Sequence, residues 1–189
     1  IILISLSQVG FQLVDAQSEL AENSNSNPKP VRILVHPKNV SALEKKTAIL
    51  ICEAESDPKP TFYWFKDGNQ VNKRRTPIIK YNKGTVLRIE PLKSDRDSGE
   101  YECLAENGVG SSVRSQITVK VINEADASIG FPNITVQPAP SQTIEAGGLA
   151  TISCQASGDP APEYSWIHEE VPLDMSDSKK FSLDGGNLK

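Results

Sequence analysis

The chain has 189 residues, of which 23 % are charged and 38 % hydrophobic, a balance that fits a folded globular protein and excludes a disordered tail. Its net charge of −4 gives no general affinity for nucleic acid. Three cysteines, Cys52, Cys103 and Cys154, form no CxxC pair, so neither a zinc site nor a dithiol redox site is expected.

The first residues, Ile1-Ile2-Leu3-Ile4-Ser5-Leu6, are apolar, and Val14-Asp15-Ala16 offers small residues before Gln17. Residues 1–16 are therefore expected to be the remnant of a secretory signal peptide, which would place the cysteines where disulfides persist. No apolar run reaches the 18 residues of a membrane-spanning helix. Residues 17–30 become polar, with the Asn/Ser-rich, Pro-ended stretch AENSNSNPKP, and are expected to form a flexible lead-in.

From Val31 to Ile122 short alternating runs are separated by turn residues, the pattern of an all-β domain. Ala48, Leu50, Cys52 and Ala54 share one face of a strand, as do Phe62 and Trp64 on the next. Lys66-Asp67-Gly68-Asn69 then reads as a turn. Leu87 and Ile89 face together, as do Tyr101 and Cys103, and Val113, Ser115, Ile117, Val119 and Val121 complete the set.

Two segments of the chain repeat. Cys52-Glu-Ala-Glu-Ser-Asp-Pro-Lys-Pro leads to Trp64, and Cys154-Gln-Ala-Ser-Gly-Asp-Pro-Ala-Pro leads to Trp166. The Cys-to-Trp spacing is 12 residues in both, and the period is near that of a whole domain. Residues 123–132 read as a linker and 133–189 as a second copy, expected to be cut short before its second cysteine.

The arrangement Cys52, Trp64, Cys103 has a physical reason. Two sheets pack about 10 Å apart, a disulfide joins their centres, and the indole fills the space beside it. Tyr101, two residues before Cys103, stands where a tyrosine corner anchors its hydroxyl on nearby backbone, and Gly99 permits the turn. The expectation is an all-β, immunoglobulin-like sandwich, with Cys52–Cys103 bonded and Trp64, Tyr101 and Trp166 in the cores.

Chemistry of other kinds is not expected. His36 and His168 have no metal-ligand partner at helical spacing, and no catalytic triad or glycine-rich phosphate loop can be assembled. No cofactor and no small-molecule substrate are therefore assigned. Two sequons, Asn39-Val40-Ser41 and Asn133-Ile134-Thr135, are candidate glycosylation sites. The charge is uneven: between Lys66 and Lys83, six basic residues (Lys66, Lys73, Arg74, Arg75, Lys80, Lys83) are opposed by Asp67 alone. That window carries +5, and the rest of the chain −9. Such segregation creates a local field that attracts a polyanion, with a lysine-rich edge that discourages strand pairing as the alternative.

These residues resemble the first two immunoglobulin domains of the leukocyte common antigen-related (LAR) receptor protein tyrosine phosphatases. General I-set features include Cys52, Trp64, Leu87, Asp97, Gly99, Tyr101, Cys103 and Asn107. More specific are Val86-Leu87-Arg88-Ile89-Glu90-Pro91-Leu92 with Arg96-Asp97, the segment Gly130-Phe131-Pro132-x-Ile134, and Val171-Pro172-Leu173-Asp174-Met175-Ser176. The resemblance implies an extracellular fragment of a single-pass cell-surface receptor with intracellular phosphatase domains, acting in axon guidance and synapse organisation. It also implies cell-surface or matrix protein ligands, and binding of heparan or chondroitin sulfate through the loop after the Trp strand. Asp67, Asn69 and Gln70 stand where that family is lysine-rich, with Lys73-Arg74-Arg75 close by. A phosphatase loop needs Arg six residues after Cys, and Pro58, Val109 and Pro160 stand there instead, so the chain itself is expected to carry no catalysis. A neural adhesion molecule of the contactin or a related class, or a structural I-set module of a matrix or muscle protein, share the general features.

Overall fold

A computed structural model describes residues 27–127, 130–145, 147–176 and 180–189. The proposed signal-peptide remnant and most of the lead-in lie outside the described residues. The first unit comprises β1 (Lys29–Val35), β2 (Val40–Leu43), β3 (Ala48–Asp57), β4 (Thr61–Lys66), β5 (Asn69–Gln70), β6 (Ile78–Tyr81), β7 (Gly84–Ile89), the short helix α1 (Ser94–Asp97), β8 (Gly99–Glu106) and β9 (Val113–Ile122). They form two sheets, ordered β1-β3-β7-β6 and β2-β9-β8-β4-β5. Every pairing within them is antiparallel except β2 with β9, which is parallel. Ordered strands begin two residues ahead of Val31, because Lys29 pairs with Asp57.

The switch from one sheet to the other between β1 and β2 has a local cause. Pro37 is buried between them and has no N–H to offer a ladder, so pairing breaks there. His36 sits beside it and shares a 2.8 Å hydrogen bond with Ser115 Oγ of β9. This histidine fastens the crossing strand to the second sheet.

The core follows from the alternation. Ala48, Leu50, Cys52 and Ala54 of β3 are buried, as are Leu87 and Ile89 of β7 and Ile117, Val119 and Val121 of β9. Cys52 and Cys103 are joined by a disulfide, and Trp64, fully buried, stands opposite Cys103 in the register. Closing 51 residues into one loop contributes about 4 kcal/mol in the chain-entropy model. The tyrosine corner is present: Tyr101 Oη donates to Asp97 O at 3.1 Å. Burial, with the nearby Asp97 charge, pushes this hydroxyl up to about 12, so it remains a donor throughout the physiological range.

The second unit contains β10 (Asn133–Val136), β11 (Gln155–Ser157), β12 (Ile167–His168), β13 (Val171–Pro172), β14 (Leu183–Asp184) and β15 (Asn187–Leu188), paired two by two. The expectation that Trp166 forms a core like that of Trp64 is corrected: Trp166 is half-buried. Among the described residues from 130 onward, Leu188 is the one buried hydrophobic residue, so no closed layer packs over the indole. Cys154 is a half-buried free thiol. The repeat nevertheless extends further than the Cys and Trp positions. Gly84 and Gly186 each follow their cysteine by 32 residues. A Cβ on either would stand 2.1 or 2.2 Å from the carbonyl oxygen of Cys52 or Cys154.

Two measurements test this account. Tyr101→Phe removes one buried hydrogen bond and should lower unfolding stability by about 1 kcal/mol in urea, with the disulfide intact. Amides of β3, β7 and β8 should exchange with deuterium far more slowly than those of residues 133–189, where little apolar surface is buried. Equal protection would contradict it.

Candidate polyanion-binding surface

The six basic residues of the charged window do not form one patch. The turn from β4 to β5 is a two-residue type I′ turn, with Asp67 at φ 48° and Gly68 at φ 77°. Its residues serve the fold. Asp67 accepts from Lys66 Nζ and, at 2.9 Å, from Glu100 N, and Asn69 Nδ2 donates to Asp67 O at 3.1 Å. The Lys66 hydrogen bond, joined by the Glu100 amide, holds the Asp67 carboxyl below its usual range. Lys66 also lies 5.8 Å from the centroid of the Tyr101 ring. Gly99 stands at φ 144°, a conformation that favours glycine, and a side chain there would also meet the Asp67 carboxylate at 2.6 Å.

The loop between β5 and β6 is shaped by Asn72. Its carbonyl oxygen accepts from Arg75 N at 3.1 Å and Thr76 N at 2.9 Å, and its side-chain oxygen accepts from Arg74 N at 3.0 Å. This tight turn leaves Lys73 and Arg74 exposed at its tip, with no carboxylate partner among the described residues. Arg75 goes the other way. Its Nη1 lies 2.9 Å from Asp97 Oδ1, and the Asp97 side chain is 0 % exposed.

Asp97 is the centre of this corner. Besides Arg75 it accepts from Arg96 Nε at 3.0 Å, Arg96 Nη2 at 2.9 Å and Lys93 N at 2.9 Å. Burial alone would raise its pKa. The Arg96 hydrogen bond, the Lys93 amide and the charges of Arg75 and Arg96 outweigh that and hold it below its ordinary 3.8. Arg96 and Lys93 thus stand on the same corner as the basic loop, although they follow it in sequence by about 20 residues.

The remaining two window residues lie elsewhere. Lys80 is exposed on β6, the edge strand of its sheet. Lys83, in the β6–β7 turn, is ion-paired with Asp174 of the second unit at 2.6 Å. Arg88 on β7 likewise bonds Glu170, and Lys38 bonds Glu163. The segment around β13 therefore lies against the outer face of the β1-β3-β7-β6 sheet, leaving a pocket of about 470 Å³ bounded by Glu53, Tyr81, Lys83, Pro172 and Met175. Asn39 and Asn133, the sequon asparagines, are both exposed, and Asn39 Oδ1 accepts from Thr118 N at 2.9 Å. No cluster of three or more His, Cys, Asp or Glu residues able to hold a metal occurs among the described residues.

The fold and disulfide define a class. Residues 29–107 and 132–189 match the family model described as "Immunoglobulin domain", and the chain belongs to that family. Within it, relatives include LAR-type receptor tyrosine phosphatases. The chain is 40 % identical over 171 residues to receptor-type tyrosine-protein phosphatase S of Gallus gallus, covering 89 % of this chain and 11 % of that protein. It is 35 % identical over 163 residues to tyrosine-protein phosphatase Lar of Drosophila melanogaster, covering 85 % and 8 %. Among solved structures it is similar to the N-terminal Ig1-2 module of Drosophila receptor protein tyrosine phosphatase DLAR, with a TM-score of 0.72, 35 % identity, and coverage of 84 % of this chain and 82 % of that one. The chain therefore spans about a tenth of the length of its curated relatives, and their phosphatase domains lie outside the aligned region.

Two of the basic positions in the loop should behave differently. Arg75→Ala withdraws a charged partner from a buried carboxylate and should cost about 1–2 kcal/mol, whereas Lys73→Ala should stay within about 0.5 kcal/mol. Because the folded-state pKa of Asp97 is depressed, its contribution is present above pH 3.8 and is lost as pH falls through the folded value. The gap between Arg75→Ala and the parent should accordingly narrow below about pH 4 in unfolding titrations.

Proposed function

We propose that the chain is an extracellular, ligand-binding immunoglobulin pair of a LAR-type receptor protein tyrosine phosphatase, a single-pass cell-surface protein. It binds sulfated glycosaminoglycan, heparan or chondroitin sulfate, together with cell-surface or matrix protein ligands, in neuronal guidance and synapse organisation. The observation that carries the reading is the tip at Lys73 and Arg74. Two cations are presented to solvent by a braced turn, beside Arg75, Arg96 and Lys93, in a chain that is otherwise acidic. Fixed cations lose little freedom when they bind, and the planar guanidinium fits sulfate oxygens.

The contributions of the basic residues differ. Lys73 and Arg74 supply the primary contacts. Arg75 and Lys66 add charge while engaged with Asp97 and Asp67, and Lys80 and Lys83 lie further along the sheet. Glycans on Asn39 and Asn133 fit the same extracellular setting, since both side chains face solvent.

The test is retention on a heparin column. Lys73→Ala/Arg74→Ala should keep the parent's fold and elute at clearly lower salt. Parent binding should itself weaken steeply with salt, as the Debye length falls from about 10 Å at 0.1 M to about 3 Å at 1 M. Elution of the folded double variant at the parent's salt would reduce the cluster to a solvated edge. Arg75 is left in place because its removal disturbs Asp97.

A further inference from the structure

A second group of cations stands at the other end of β6. Lys59, in the loop between β3 and β4, donates from Nζ to Asn82 Oδ1 at 2.8 Å. That bond brings Lys59 to the β6–β7 turn, beside Lys80, although 21 residues separate the two in sequence. Between them lies a pocket of about 150 Å³ lined by Lys59, Pro60, Phe62, Lys80 and Asn82 among others, with no acidic residue in its lining. Lys80 has no ion-pair or hydrogen-bond partner among the described residues, and Lys59 has an uncharged one. Lys83, at the rim, is already neutralised by Asp174.

Two ammonium groups facing one pocket without a counter-charge repel each other, and an anion between them relieves that repulsion. Asn82 adds a donor, because its Oδ1 is taken by Lys59 and its amide nitrogen remains. Pro60 and Phe62 supply an apolar floor suited to the C–H face of a sugar ring. We infer that Lys59, Lys80 and Asn82 form a second anion-binding site, for a sulfated sugar residue, separate from the Lys73–Arg74 tip. The inference deepens the polyanion reading and rests on it for the class of ligand.

The geometry also assigns the path of a longer ligand. With a strand rise of about 3.3 Å per residue, Lys80 lies roughly 13 Å beyond Thr76, where the basic loop ends. One extended polyanion running along the edge strand reaches both sites. The second contact is then intramolecular, so affinity grows with chain length beyond what either site gives alone.

The experiment uses the 189-residue chain with a heparin tetrasaccharide and with long heparin, in titration calorimetry. The parent should take up two tetrasaccharides and Lys59→Ala/Lys80→Ala one, with affinity for long heparin reduced about tenfold or more. Lys73→Ala/Arg74→Ala should also take up one, at the Lys59 pocket. Both lysines are exposed, and an unchanged melting temperature confirms the fold of each variant. Unchanged stoichiometry and affinity in Lys59→Ala/Lys80→Ala would overturn the second site while leaving the tip. Loss confined to that variant would keep the second site and remove the tip, and a parent that binds neither probe would remove both.

Discussion

The buried carboxylate of Asp97 ties together parts of the chain that sequence keeps apart. It receives Arg75 from the β5–β6 loop, Arg96 from α1 and the Lys93 amide, while its own backbone oxygen receives the Tyr101 hydroxyl. A charge removed from water is tolerated only when its partners are in place, so the loop, the helix and β8 must arrive together. The positions of Lys73 and Arg74 depend on this. They are neighbours of Arg75, and the turn they cap is fastened on its far side by the Arg75–Asp97 pair and the buried Thr76, and closed by the Asn72 carbonyl that accepts from both. The tip presents its charges from a hydrogen-bonded turn, and the cation next to it is engaged with a buried carboxylate.

The contact between the two units has another character. Lys83–Asp174, Arg88–Glu170 and Lys38–Glu163 join exposed or half-exposed groups in which water competes for every hydrogen bond. The Lys83 hydrogen bond, followed by those of Ser176, drives the Asp174 carboxyl far below its usual range. Glu169 and Glu170 occupy the type I′ turn between β12 and β13, at φ 50° and 67°, a region non-glycine residues enter at some cost. That turn aims Glu170 at Arg88, so local strain and a charge pair coincide at one residue.

Much of this architecture was legible in the sequence because it is written in periods and spacings. The alternation at 48, 50, 52 and 54, the Cys52–Trp64–Cys103 spacing and Tyr101 two residues before a cysteine each report a local geometry that admits few solutions. The basic window was legible as a charge, but its division was not. Whether Arg75 turns inward depends on Asp97, more than 20 residues away, and Lys83 is taken by Asp174, 91 residues away. Lys59 belongs to a Pro-rich repeat and reaches Lys80 only through the β3–β4 loop. Trp166 is half-buried where its spacing predicts core, because the spacing that places an indole on a strand does not report what covers it.

The ion pairs across the two units also decide which side of the first sandwich a visitor meets. Its two sheets have equivalent outward surfaces in principle, but the segment around β13 lies over part of the β1-β3-β7-β6 side, beside Glu53, Tyr81 and Lys83. The other sheet keeps its outward row, including Tyr63, Phe65, Arg114 and Gln116, uncovered or half-covered. The second copy of the repeat thus gives a nearly two-sided domain a front and a back, and the cations at Lys73 and Arg74 stand on the rim between them.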